Sequence, residues 1–134
     1  MADHTLAPDT TWGDLTFQCE TDLSSKQYYY VKLDTNEKVV LAGLNDKTLG
    51  ILQNAPNGSA SAPAMAVVRV LGFSKLKVAE GVAFGNFLTP TAAGKGEVCD
   101  AAGEEFGARA LTSADTDDLA LVELCHGEVE ATDA

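Results

Sequence analysis

The residues of this chain that could do chemistry are two histidines, three cysteines and several clustered carboxylates. His4 and His126 lie near opposite ends of the 134-residue sequence. Cys125 precedes His126 directly, and neighbouring side chains on a strand point to opposite faces, so the pair does not favour a catalytic thiol–imidazole dyad. The cysteines Cys19, Cys99 and Cys125 match neither a disulfide framework nor a zinc motif. We interpret them as small buried or half-buried thiols of a protein made in the reducing cytoplasm.

Other patterns that bind ions or cofactors are incomplete. The run Asp115–Asp118 is similar to the start of a calcium loop, but Ala120 and His126 stand where that loop needs glycine and glutamate. Lys47 follows Asp46, as in lipoyl-carrier hairpins, but the acids that usually precede such a pair are missing. The glycines form neither a dinucleotide-binding nor a phosphate-binding motif. We therefore predict no catalytic residue, no metal and no cofactor, and expect that the protein is not an enzyme.

The charge of the chain is concentrated at one end. The formal net charge is -11. Residues 1–96 hold nine acids and eight bases, a net of -1, whereas residues 97–134 hold eleven acids and one base, a net of -10. Such a surface repels nucleic acid and anionic membrane, so neither is an expected partner. No run of about 20 apolar residues suggests a membrane span, and residues 1–5 do not resemble a secretory signal.

Hydrophobic alternation predicts about nine short strands. Leu15–Cys19, Tyr28–Leu33, Lys38–Leu41, Leu49–Gln53, Ala64–Val78, Asn86–Thr89, Glu97–Cys99, Ala108–Leu111 and Leu119–Leu124 are the predicted segments. Gly72 predicts a bulge or bend inside the longest of these segments. The capping residues of Thr21–Gln27 allow one short helix. The predicted fold class is therefore mostly β, a small barrel or sandwich with short strands, long loops and at most one or two short helices.

The predicted organisation is one β domain, residues 12–125, between an N-terminal arm of residues 1–11 and a C-terminal tail of residues 126–134. In the first half of Ala64–Val78, the odd-numbered and the even-numbered positions are both mostly apolar, so both faces of a strand there would be apolar. Such a strand is covered on both sides, either within its own chain or by another subunit. Tyr28–Tyr30 is the only cluster of aromatic residues that could favour a binding module for carbohydrate or a host surface.

The order of several segments resembles the head decoration, or capsid cement, proteins of tailed bacteriophages. The segments are Asp46–Pro56, Ala66–Lys75, Gly81–Thr89, Gly94–Gly96, Gly107–Leu111 and Leu119–Leu124, with the order xGxLQNAP, VxVxGxSK, GxxLT and GxA. The resemblance covers about residues 45–124. The acidic C-terminal third and the three cysteines are not features of that family.

This resemblance implies a structural virion protein that binds the outside of the expanded head, bridges major capsid subunits and forms a homotrimer. It also implies that the arm contacts the shell, with Leu6, Pro8 and Trp12 as candidate contacts. We expect the arm to add a strand to a capsid sheet and the acidic third to face outward. The residues predicted for the subunit interface are Met65, Val67, Leu71 and Phe73, with burial in the chain's own core as the alternative. The alternative function is the virion surface-binding module.

Overall fold

A computed structural model describes residues 13–130, which form ten β-strands. The strands are β1 Asp14–Cys19, β2 Tyr30–Leu33, β3 Val39–Leu41, β4 Gly50–Leu52, β5 Ala64–Arg69, β6 Phe73–Lys77, β7 Phe87–Pro90, β8 Gly96–Val98, β9 Glu105–Ala110 and β10 Leu119–Glu128. They pair as two five-stranded antiparallel sheets, in the orders β1-β5-β4-β2-β3 and β6-β10-β9-β7-β8. The predicted mostly β fold is thus confirmed, and of the two predicted architectures, barrel and sandwich, the strands form the sandwich. Residues 13–130 contain no helix.

The two sheets are held together by side chains that alternate along β2 and β4. Tyr30 and Ile51 point into an apolar cluster shared with the second sheet, where Leu76, Leu88 and Val122 also lie. The next residues along each strand point the other way, into a second cluster that is formed by the first sheet. That second cluster contains Phe17, Cys19, Leu23, Val31, Val39, Leu52, Ala66 and Val68. The central strands of the first sheet are therefore buried on both faces.

The long apolar segment around Gly72 forms two strands in different sheets. β5 lies between β1 and β4, whereas β6 is an edge strand of the second sheet, paired with β10. Gly72 separates them with a φ of 100°, a left-handed conformation that glycine adopts readily. The predicted bend is thus the crossing point between the sheets, and it places Leu71 and Phe73 at their junction.

Two other segments differ from the sequence-based expectation. Thr21–Gln27 forms turns rather than a helix. Leu23 donates its N–H to Pro56 O at 2.9 Å, and Ser24 donates its N–H to the Asp22 carboxylate. β10 continues through Glu128, three residues into the segment predicted as a tail. The N-terminal arm and the predicted shell contacts Leu6, Pro8 and Trp12 lie outside the described residues.

Candidate interaction surface

Two of the predicted interface residues, Met65 and Val67, lie on the side of β5 that points away from the first-sheet cluster. Ala66 and Val68 are buried, whereas Met65 is 50 % exposed and Val67 is partly buried. Beyond the strand, Leu71 is 46 % exposed and Phe73 is 59 % exposed. β4 continues this face toward the second sheet, which covers Ile51 but not Met65. The four predicted residues therefore leave apolar surface open to solvent, although their role in an interface remains a prediction.

Arg69 fixes the geometry where this face meets the second sheet. Its Nε and Nη2 donate to the two carboxylate oxygens of Asp14, at 2.7 and 3.1 Å, and its Nη1 donates to Phe73 O at 3.0 Å. The hydrogen bond to Asp14 raises the pKa of the Arg69 guanidinium. One charged side chain thereby joins β1, β5 and the start of β6, and positions Phe73 against the first sheet.

A groove of about 210 Å³ opens beside Arg69, between the two sheets. Its lining residues are Tyr28, Gln53, Arg69, Phe73, Ser74, Lys75 and Leu121. Gln53 Nε2 donates to Ser74 Oγ at 2.8 Å, and the Lys75 ammonium lies 5.6 Å from the centre of the Tyr28 ring. The polar groups of the groove thus have partners within the chain, while Phe73 and Leu121 present apolar surface.

The outer face of the second sheet carries a row of paired residues, of which the sequence analysis identified only Phe73. Phe87, Arg109, Glu123 and Phe73 stand opposite one another on β7, β9, β10 and β6. Arg109 Nη2 lies 3.0 Å from Glu123 Oε1. Arg109 also lies 5.5 Å from the ring centre of Phe84, which is 69 % exposed. This row is an aromatic and charged surface without a covering layer in the described chain.

The residue pattern of β10 indicates part of this exposed surface. Ala120, Val122 and Leu124 are buried, whereas Leu119 and Leu121 are 43 % and 42 % exposed. A strand with leucines at both parities has more apolar side chains than one core can cover. Phe84 lies in a loop, where periodicity gives no signal.

The tyrosine cluster does not form an exposed aromatic platform. Tyr30 is fully buried and donates its hydroxyl to Leu88 O at 2.8 Å. Burial raises the pKa of this phenol well above its ordinary value. Tyr28 and Tyr29 are half-buried, beside Lys75 and Lys26 respectively. The feature that favoured a carbohydrate-binding module is thus divided between core and surface.

A second pocket, of about 400 Å³, lies where β9 begins and β10 ends. It is lined by Lys47, Thr48, Glu105, Phe106, His126, Gly127 and Glu128. Lys47, the residue compared with a carrier lysine, is 84 % exposed along its side chain and lies 3.8 Å from Glu105 Oε1. Thr48 Oγ1 is buried there without a hydrogen-bond partner.

The thiols of the second sheet are held in their neutral form. Burial, with help from Glu104 and other carboxylates, raises the pKa of Cys99 to about 11. Burial and Glu123 likewise raise the pKa of Cys125. A nucleophilic cysteine needs the opposite shift, so neither thiol has the electrostatics of a catalytic group.

Carboxylates crowd the β8 end of the second sheet. Burial raises the pKa of Glu97, and the nearby charges of Glu80, Glu104 and Asp100 raise it further. Glu80 accepts a hydrogen bond from the Val98 N–H at 3.0 Å. Within residues 13–130, no group of three or more histidine, cysteine or acidic side chains could hold a metal ion. That same range also lacks a helix long and apolar enough to cross a membrane.

The fold and its exposed faces define a two-sheet antiparallel β-sandwich with uncovered apolar surface. No family model matches the sequence. No curated protein matches it either. Among solved structures, the fold is similar to the N base of the head fiber protein gp8.5 of bacteriophage phi29. The TM-score is 0.71 at 12 % sequence identity, and the match covers 88 % of this chain and 99 % of that one. At this identity the similarity concerns the fold.

Proposed function

We propose that the protein is a structural, non-catalytic component of a tailed-bacteriophage head that binds the outside of the expanded capsid and stabilises it. The observation that carries the proposal is the shared fold with the base of a phage head fiber over 88 % of the chain. The order of segments that resembles capsid cement proteins supports the same role. In this role the protein acts through its surfaces, bridging neighbouring major capsid subunits.

The exposed apolar side chains support a protein that works in an assembly. Met65, Leu71 and Phe73 are each about half exposed, in β5, in the bend that follows it and in β6 respectively. Soluble monomers rarely expose large contiguous apolar patches, and a closed homo-oligomer removes such a patch from water. We assign Met65, Val67, Leu71 and Phe73 to the contact between subunits of a homotrimer.

The arm and the acidic third complete the proposal. Leu6, Pro8 and Trp12 are apolar residues near the end of the chain, and we assign the arm to the capsid contact, where an extended segment can add a strand to a sheet edge. The acidic residues 97–134 face outward, because the inner side of the shell encloses anionic DNA.

The test combines light scattering of the purified protein with co-sedimentation on expanded heads of its phage. We expect a trimer that saturates the heads at a fixed ratio. Met65→Asp places a charge in the proposed interface and should weaken trimer formation about tenfold or more. Leu44→Asp, at a residue 60 % exposed in the turn before β4, is the matched control and should leave the trimer intact.

A deletion of residues 2–11 tests the arm separately. It should leave the trimer unchanged while lowering occupancy of the heads. Unchanged occupancy would exclude the arm as the capsid contact, and absence of binding by the intact protein would exclude the cement role as a whole.

A further inference from the structure

The lysine and arginine side chains of this protein fall into two groups. The sequence holds nine of them against 20 acidic residues. Six of the nine form an ion pair with a carboxylate of residues 13–130. The other three, Lys26, Lys75 and Lys77, form no ion pair within that range. In so acidic a chain, cations without a carboxylate partner create a local excess of positive charge.

The three lysines lie around one turn, Tyr28–Tyr29. The Lys26 ammonium is 4.9 Å from the centre of the Tyr29 ring, and the Lys75 ammonium is 5.6 Å from the centre of the Tyr28 ring. Lys77 donates its backbone N–H to Tyr28 O at 2.9 Å. Because both rings are half-buried, they hold the two ammonium groups at the surface. Lys26, Lys75 and Lys77 together are the lysine patch.

The carboxylate that senses Lys77 is already paired. Asp117 forms its ion pair with Lys95. The hydrogen bond from Lys95 lowers the pKa of Asp117, and the charge of Lys77 lowers it further. Two cations thus share one anion at this end of β6, whereas no carboxylate of the described residues pairs with Lys26 or Lys75. The lysine patch therefore keeps a net positive charge.

Apolar side chains of β10 adjoin the lysine patch. In the antiparallel register of β6 and β10, Lys75 stands opposite Leu121 and Lys77 stands opposite Leu119. Residues that are directly opposite share one face of a sheet, and both leucines are exposed. Lysine and leucine thus form two neighbouring pairs on the outer face of the second sheet. Phe73, at the other end of β6, stays with the subunit contact proposed above.

We propose that the lysine patch, with Leu119 and Leu121, is a docking surface for an acidic segment of another protein. Carboxylates of that segment pair with the lysines, and an apolar side chain of the segment packs on the two leucines. A short segment contacts this surface alone, whereas a long polyanion such as nucleic acid also meets the acidic excess around it. Under the proposed function this partner is the major capsid protein, and only that identification rests on the proposed function.

Amide NMR of the full-length protein tests the docking surface without capsids. The probe is an acetylated and amidated EELEE peptide, and QQLQQ is its uncharged control. We expect EELEE to shift the amide signals of β6, of β10 around Leu121 and of the Tyr28–Tyr29 turn, with weaker binding at high salt. Lys75→Gln and Lys77→Gln should each weaken binding about two- to fivefold, the effect of one exposed ion pair. Lys47→Gln, at an exposed lysine beside Glu105, is the matched control and should leave binding unchanged.

Three outcomes would overturn the proposal. One is an equal response to QQLQQ, and another is the same affinity for EELEE in wild type and in both patch variants. The third is displacement of EELEE by a lower concentration of a short thymidine oligonucleotide, because the lysine patch would then be a nucleic-acid site.

Sedimentation with expanded heads separates this surface from the proposed function. If Lys75→Glu and Lys77→Glu lower occupancy of the heads and Lys47→Glu does not, the lysine patch faces the capsid. If all three variants bind the heads as wild type does, the capsid identification is wrong, while binding of EELEE still supports the docking surface. Binding of EELEE by a protein that does not bind heads would contradict the proposed function alone.

Discussion

The two sheets of this protein solve the problem of covering apolar residues in different ways. In the first sheet, β2 and β4 are buried on both faces, with Tyr30 and Ile51 toward the second sheet and Val31 and Leu52 toward the first-sheet cluster. In the second sheet, one face is buried and the other presents phenylalanine and leucine side chains to solvent. The first sheet is thus organised for stability, and the second combines half of a core with an open surface.

The two sheets also differ in the arrangement of their charged side chains. The first sheet pairs its ions locally, as in the contacts between Arg69 and Asp14 and between Lys32 and Asp46. The second sheet also contains an ion pair, between Arg109 and Glu123, but like charges surround Glu97, where Glu80, Glu104 and Asp100 raise its pKa. A protein that must attach to a partner and remain soluble can separate the two tasks in this way. The comparison leads to three predictions of decreasing size.

The largest effect is expected where the two sheets meet. Tyr30→Ala should lower the free energy of unfolding by about 3–5 kcal/mol, as for other buried aromatic residues. The side chain is fully buried, and its hydroxyl donates to Leu88 O across the sandwich. Tyr30→Phe removes only that hydrogen bond and should lower the free energy by about 1–3 kcal/mol. Urea denaturation measures both values.

Phe84→Ala supplies the contrast from the open surface. Phe84 is 69 % exposed, so its truncation should change the free energy of unfolding by less than about 0.5 kcal/mol. Comparable losses at Tyr30 and Phe84 would mean that the outer face of the second sheet is part of the core, and the distinction between the sheets would be wrong.

Sequence periodicity was sufficient to locate the strands but not to place them. The alternation of Phe17 and Cys19 with polar neighbours predicts β1 correctly, and the break at Gly72 predicts the end of β5. The assignment of β5 and β6 to different sheets depends on long-range pairing, which a local pattern does not encode. Asp14 and Arg69 are 55 residues apart in sequence, so their contact is equally invisible to local rules.

The surface was predictable only in part, for a related physical reason. Met65 and Phe73 belong to a run with more apolar side chains than one core can cover, so the sequence indicates that some of these side chains are exposed. Phe84 is an isolated aromatic residue in a loop beside Arg109 of β9, and no local pattern indicates its exposure. The short helix that the sequence allows at Thr21–Gln27 does not form, and Leu23 donates its N–H to Pro56, more than 30 residues away.

A smaller effect is expected for the ion pair of the first sheet at acidic pH. Hydrogen bonds from Lys32 Nζ, at 2.6 Å, and from the Gly43 N–H, at 2.7 Å, hold the pKa of Asp46 below its ordinary value. A carboxylate with a lowered pKa stabilises the folded state above its unfolded pKa, and this stabilisation is lost as pH falls through the folded pKa. Asp46→Asn should therefore be less stable at neutral pH, by about 0.2–1 kcal/mol because the pair is partly exposed.

The pH dependence separates this effect from a change in packing. The difference between wild type and Asp46→Asn should shrink on acidification and disappear below the folded pKa of Asp46, in urea denaturation at a series of pH values. A difference that is constant across the series would indicate that the amide disturbs the turn at Gly43 instead of removing a charge.

The smallest effect is expected at Glu97, and its sign is opposite to that at Asp46. Burial and the charges of Glu80, Glu104 and Asp100 raise the pKa of Glu97, so its ionised form opposes folding at neutral pH. Glu97→Gln should therefore stabilise the protein at neutral pH by less than about 0.5 kcal/mol. This gain should fade as pH falls through the raised folded pKa toward the unfolded one, because the wild-type carboxyl then binds its proton.

Glu130→Gln is the matched control, since it removes one negative charge at an exposed position beyond β10. If both variants gain the same stability, the effect belongs to the net charge of the acidic third and not to the crowding around Glu97. If only Glu97→Gln gains stability, and only at pH values above the pKa of the Glu97 carboxyl, the gain comes from repulsion among the carboxylates around Glu97. The ion pairs of the first sheet avoid such repulsion. Under the proposed function, an acidic face that is directed outward from the shell retains such repulsion, because no partner has to cover it.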